Sequence, residues 1–139
     1  MIKDRFLLPG GRPAGQAMPE FALVASFFFL LLFGIIEMGI VVYRYNTVSA
    51  AAREAARYAM VHNPTSLNPA STDQIAAVAI SYAPFLSAAE VTVTFPADPT
   101  DHTQKDALVS ISHNYTQQIP FMSAVPLTLT SNSQMLVSQ

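Results

Sequence analysis

The run from Phe21 to Tyr43, FALVASFFFLLLFGIIEMGIVVY, contains a single charge, Glu37, and limits what the chain can fold into more than any other feature. As a helix it spans roughly 34 Å, against a bilayer hydrocarbon core of about 30 Å. Phe27 to Phe33 is apolar all round and leaves no polar face for water, so a surface helix is excluded. The rival is a buried core helix. A one-domain chain of 139 residues is too small to cover such a helix on every side, which favours a membrane span. A cleaved secretory signal is the weaker alternative. The run exceeds an ordinary signal core, and its small-residue exit, Ser49 to Ala52, lies beyond Arg44 inside a helical pattern.

Composition follows from that run. The hydrophobic fraction is 51% and the mean hydropathy +0.33, with only 12% charged residues, because the apolar residues are concentrated near the N-terminus. A net charge of −2 without a Lys/Arg cluster argues against a nucleic-acid binder. The absence of cysteine removes disulfides, thiolate metal sites and cysteine nucleophiles. No repeat of fixed period is visible.

Orientation is set by the leader. Lys3, Arg5 and Arg12 against Asp4 favour a cytoplasmic N-terminus, and Arg44, just after the run, weakens the contrast. Tyr43 and Tyr45 stand where an outer aromatic belt would be. The reading is N-in, C-out.

The junction before the run is unusual for a plain anchor. Pro9, Gly10, Gly11, Pro13 and Gly15 prevent regular structure and predict an extended, accessible leader. Gly15-Gln16-Ala17-Met18-Pro19-Glu20-Phe21 then abuts the apolar helix. A protease at the membrane surface needs an unstructured site with a small residue, which Gly15 supplies. Pro19 suits a first helical turn, and Glu20 in that turn complements the helix dipole.

Glycine, four residues, glutamate and an aromatic, followed at once by a long apolar helix, resembles the processing site of type IV-like prepilins. GQAMPEFALV, the Gly34-to-Met38-Gly39 stretch, and Ala50-Ala51-Ala52-Arg53-Glu54-Ala55-Ala56-Arg57-Tyr58-Ala59 narrow the resemblance to the TadE-like family, minor pilins or pseudopilins of the Tad/Flp type IVb system. That resemblance implies cleavage by a prepilin peptidase between Gly15 and Gln16, with Glu20 as the fifth mature residue beside Phe21. In pilins this glutamate neutralises the new amine of a neighbouring subunit and sets axial register. Gln16 stands where many type IV pilins carry an aromatic. The plain alternative for Glu20 is an ordinary helix charge at the interface.

Glu37 falls about 24 Å along the helix from Phe21, in the outer part of the bilayer. A carboxylate there is costly unless paired, protonated or snorkelling. No Lys or Arg lies at i±3 or i±4, so pairing with a cation on a partner subunit stands beside the bland accounts. Gly34 and Gly39 permit close approach of another helix. Alanine-rich helix continues through Met60, with Glu54 and Arg57 at i,i+3, and Asn63-Pro64 ends it. A helix from Pro19 to His62 is ~65 Å long. Its alanine face permits close packing on a small sheet.

Past a turn-rich linker at Thr65–Ala70, Ser71 or Thr72 caps a second helix to Tyr82, halted by Pro84, with Ile75, Ala79 and Tyr82 on its apolar side. Alternation predicts strands at Glu90–Phe95, Ala107–Tyr115 and Leu127–Val137, with a loop from Pro96 to Asp106. The fold class is α+β and pilin-like: a long stem helix, a short helix and a three-stranded antiparallel sheet. Three segments follow: a leader at 1–15, a transmembrane and stem helix at 16–62, and an exported domain at 63–139.

Catalytic chemistry finds no support. His62, His102 and His113 fit no triad or metal spacing, and no phosphate loop, GxSxG or HExxH is present. His102 with Asp98 and Asp101 reads as a solvated turn, and His113 as a half-buried strand position. No enzyme, cofactor, metal, small-molecule substrate or nucleic-acid partner is expected. The expected partners are the lipid bilayer, a prepilin peptidase, other pilins and pseudopilins, and Tad apparatus proteins. The main expectation is a minor pilin in the inner membrane that serves Tad/Flp pilus assembly, in adhesion, surface colonisation or biofilm. The alternative is an uncleaved bitopic accessory protein that binds other secretion-channel components.

Overall fold

The computed structural model describes residues 17–96, 106–117 and 123–136. Gly15, Gln16, the leader, Asp98, Asp101, His102 and Val137 lie outside them. Helix α1, Ala17–Val61, carries the apolar run and the alanine stretch without a break, as the high helix propensity of alanine predicts for the latter. It is long and apolar enough to cross a membrane. Asn63 terminates it. Its buried amide donates to the Met60 carbonyl at 3.0 Å, and its Oδ1 accepts from the Thr65 backbone N–H at 2.9 Å.

Helix α2, Thr72–Tyr82, starts at the expected cap. The Gln74 N–H donates to Ser71 Oγ while the Ser71 N–H donates to Gln74 Oε1, a reciprocal capping box. Ile75 and Ala79 are buried as predicted, but Tyr82 is exposed. The fully buried Ala83 takes the core position at that end, and its small side chain lets the chain turn beneath the helix. A short 3-10 turn at Ala88–Glu90, not expected from the sequence, then leads into the sheet.

Strands β1 (Val91–Thr94), β2 (Asp106–Thr116) and β3 (Pro126–Leu136) form an antiparallel sheet in the order β1-β2-β3. The α+β architecture is the one the sequence predicts. One face carries Ala107, Val109, Ile111, His113 and Tyr115 of β2 with Leu129 of β3, all buried. The opposite face is polar and exposed, with side-chain bonds such as Ser110 Oγ to Asn132 Oδ1 at 2.7 Å.

The core forms where the outer half of α1 lies on β2 and β3, with α2 packed against α1 and β1. Val48, Ala51, Ala52, Ala55, Ala56 and Ala59 are completely buried there. The register pairs Ile111 with Ser131 and Val109 with Ser133, which puts two serines of β3 on the helix side. Alanine on the helix and serine on the strand allow a close helix–sheet approach that larger side chains would block. The sheet, α2 and this outer half of α1 are called the head below.

Candidate functional site where the helix enters the head

Glu37, Arg44, Val48, Ala51 and Ala55 recur at intervals of three, four and seven residues, so they share one face of α1. The head therefore covers not only the alanines but a line running down into the apolar run. At its lower end Glu37 is only 9% exposed and accepts a 2.7 Å hydrogen bond from the Tyr115 hydroxyl, near the end of β2. The intramembrane acid of the sequence reading thus has a partner within its own chain. That bond pushes the Tyr115 pKa up from its ordinary value; burial and the Glu37 charge add to the rise and Arg44 opposes it.

Two turns further along α1, Arg44 lies beneath the head. Its guanidinium stacks 4.5 Å from the Tyr115 ring centroid and 5.0 Å from that of Phe85. Arg44 Nη1 is 3.2 Å from His113 Nε2, and His113 Nδ1 is 2.8 Å from Glu90 Oε1. Arginine can only donate, so Nε2 accepts and Nδ1 carries the proton that goes to Glu90. The imidazole thus relays between a cation on α1 and an anion at the mouth of β1. Glu90 is held in turn by the Ser87 N–H at 2.8 Å and the Ser87 hydroxyl at 3.0 Å. Partial burial pushes the Glu90 carboxyl up, but the bonds from Ser87 and His113 outweigh it and leave the pKa below its ordinary value.

This arrangement fastens rather than reacts. It ties α1 to β2 through Glu37–Tyr115 and Arg44–His113, and β2 in turn to the β1 entrance through His113–Glu90. Among the described residues, no three His, Asp or Glu side chains converge as a metal site requires. His62, the other described histidine, stacks on Tyr58 at 4.2 Å and contacts the Tyr58 carbonyl at the end of α1.

Removal of the Tyr115 hydroxyl tests the lower fastening. Tyr115→Phe is expected to destabilise the head by about 1–3 kcal/mol, the cost of taking a donor from a buried carboxyl group. Glu37→Gln and the double variant complete a double-mutant cycle, read by thermal unfolding in detergent. Additive effects would mean that the 2.7 Å bond carries no coupling energy.

The remaining residues singled out from the sequence lie apart from this cluster. Glu20 and Phe21 are exposed in the first turns of α1. A side chain added at Gly34 or Gly39 would meet nothing within 4 Å, so both leave open ground on the helix surface. Their five-residue spacing turns them about 140° apart, with Gly34 nearer the Glu37 side and Gly39 facing away. They therefore do not lie on one common face of α1.

Sequence reasoning missed Arg44, Tyr115, His113 and Glu90 as partners. A signal was present for the first: Arg44 stands seven residues from Glu37, two turns away on one face, beyond the i±3 and i±4 neighbours. Tyr115 and His113 continue the inward alternation of Val109 and Ile111, but nothing local says which helix residue they meet.

The helix surface below Glu37 carries Phe21, Leu23, Phe27, Phe28, Leu31 and Phe33, all exposed, and runs into a junction that is polar and closed. Such a helix, bare at one end and packed at the other, is the stem the sequence predicted. Residues 15–57 match the family described as TadE-like protein. The TadE-like match begins at Gly15, beside the described helix start at Ala17, and takes in Glu20, Phe21, Gly34, Glu37 and Gly39. It ends within the alanine stretch, so α2 and the sheet lie beyond it. No curated protein and no solved structure matches the chain.

Proposed function

We propose that this protein is a minor pilin or pseudopilin of the Tad/Flp type, cut by a prepilin peptidase between Gly15 and Gln16, that takes part in assembling a pilus used for adhesion, surface colonisation or biofilm. The observation that carries the proposal is the TadE-like match from Gly15 onward, over a helix whose first half is bare. The match itself suggests involvement in the Tad pilus system. The finer roles rest on the junction residues and on the physical fit of the helix.

The protein sits in the inner membrane with its N-terminus in the cytoplasm and its head outside, before any extraction into a fibre. The charge distribution supports this orientation: Lys3, Arg5 and Arg12 precede the apolar run, and Arg44 alone follows it closely. The bare surface from Phe21 to Ile36 faces lipid in the membrane and other pilin helices in an assembly, with Gly34 and Gly39 at points of close approach. The segments 1–15, 16–62 and 63–139 serve as leader, anchor with stem, and exported part.

Glu20, exposed in the first turn, pairs with the Gln16 amine of a neighbouring subunit. Glu20→Ala is expected to leave cleavage intact and to lower incorporation into sheared pili severalfold. Unchanged incorporation would remove the pairing role. The whole reading is tested by the mature N-terminus of the membrane-associated protein, identified by mass spectrometry of its N-terminal peptide. A start at Gln16 is expected. A start at Met1 would move the assignment to an uncleaved accessory protein of the apparatus, and a start near Ala50 to a secreted domain.

A further inference from the structure

The apolar run and the head overlap. The run ends at Tyr43, yet the head already covers α1 at Glu37, so about 9 Å of helix is shared. On that stretch Met38, Val42 and Tyr43 are exposed on the side away from the head, while Glu37 is buried and Arg44 half-buried. The helix from Ala17 to Ile36 is about 30 Å long, which alone matches the hydrocarbon core.

The end of the head at this level is the β2–β3 end. Tyr115, bonded to Glu37, pairs with Leu127, and Thr116 pairs with Pro126. The Gln117 N–H then reaches the Val125 carbonyl at 3.5 Å. Ser123, Ala124, Val125 and Pro126 are all exposed, with Val125 54% so. The described residues at this end, Thr116, Gln117 and Ser123 to Pro126, carry no charge that an acyl–headgroup boundary would have to accommodate. At the other end of the head, α1 finishes at Val61, about 36 Å beyond Glu37, and Leu67 is fully exposed in the loop that follows.

We propose that the β2–β3 end of the head, with Val125 at its exposed turn, rests in the interfacial layer of the outer leaflet, so that the head as well as the helix holds the protein to the bilayer. The inference rests on the reading that α1 spans the membrane. The partner is lipid because the surface lies at the same level as the lipid-facing side of α1, exposes Val125 and carries no charge among its described residues. An interface between acyl chains and headgroups accepts such a surface, with the exposed Tyr43 of α1 at its boundary. Release of the protein from the bilayer must then break this contact as well as withdraw the helix.

The chain has no tryptophan, so single-tryptophan variants report position directly. Val125→Trp, Leu31→Trp and Leu67→Trp of the full chain are placed in phosphatidylcholine–phosphatidylglycerol vesicles. Fluorescence is quenched in turn by lipids brominated near the carbonyl end of the acyl chain, by lipids brominated at mid-chain, and by aqueous iodide. The expected result is quenching by mid-chain bromine at position 31, by shallow bromine with a blue-shifted emission at 125, and by iodide alone at 67. Iodide quenching at 125 equal to that at 67, with position 31 still quenched by bromine, overturns this inference and leaves the span intact. Loss of bromine quenching at 31 overturns the span itself. Bromine quenching at both 125 and 67 means that the head lies on its side, and shielding of 125 only at high protein density means that another copy covers it; either outcome overturns the inference.

Discussion

Replacement of Gly15 by alanine is expected to abolish the Gln16 N-terminus and leave the protein starting at Met1. Three features converge on this expectation. Pro9, Gly10, Gly11 and Pro13 are residue types that disfavour helix and strand, which is what the sequence offers a protease before the bond. The described helix begins at Ala17, so the bond lies beside the point where the chain becomes inaccessible to a protease. Glycine is also the residue at which the TadE-like match begins. A peptidase that reads a bare backbone there has no room for a Cβ, and each 1.4 kcal/mol of lost transition-state binding lowers cleavage about tenfold. The measurement is the ratio of N-terminal peptides in the membrane fraction of cells that contain the peptidase. A Gly15→Ala protein that still begins at Gln16 would falsify prepilin-type processing at this bond. The same protein should remain folded, because residue 15 lies outside the head.

The second large effect is in the core. Ala55→Leu adds three carbons at a position with no exposed surface, where α1 lies against the sheet. Neighbouring Ala51, Ala52 and Ala59 sit close to Val109 and Ile111 in one cluster, and Ser131 and Ser133 complete the helix side of β3. Overpacking of this kind typically costs 1–3 kcal/mol, so a loss of about 2 kcal/mol is expected, or ~8–16 °C in Tm for a head of this size. Near-ultraviolet circular dichroism in detergent follows the packed tyrosines of the head, Tyr58 and Tyr115, over a constant background from the exposed Tyr43 and Tyr45. Arg53→Leu, on the exposed side of the same turn, should stay within about 0.5 kcal/mol of the parent. Equal melting of the two variants would mean that the alanines are not held against the sheet. The Glu54–Arg57 pair, at 3.5 Å and open to solvent, is a poor site for such a test, since exposed pairs contribute little.

These two tests differ in what the sequence could say about them. The start of α1 was legible because it depends on neighbours in the chain: a proline and a glutamate suited to a first turn, and a run of apolar residues too long for anything but a spanning or fully enclosed helix. The same holds for the Ser71 cap, which needs only Gln74, and for the alternation of β2, which shows its inward face through Val109 and Ile111. Even the close packing of the alanine face could be anticipated from side-chain size.

What joins distant parts of the chain was not legible. Tyr115 meets Glu37 across 78 positions, and Arg44 meets His113 across 69. Alternation shows that Tyr115 points inward but not which turn of the helix it faces. That choice depends on the register between β2 and β3, the strand order, and the depth at which the sheet seats on α1. Glu37 illustrates the difference. Its sequence neighbours contain no cation, and a search of one helical turn leaves partner subunit, protonation and snorkelling as the accounts. Folding brings a phenol to it from the end of β2 and, two turns away, closes Arg44 between two rings and a histidine. The sequence by itself determined the elements, because periodicity and capping act over a few residues. The tertiary structure alone decided the fastening between helix and head, because hydrogen-bond partners are fixed by packing that no local pattern encodes.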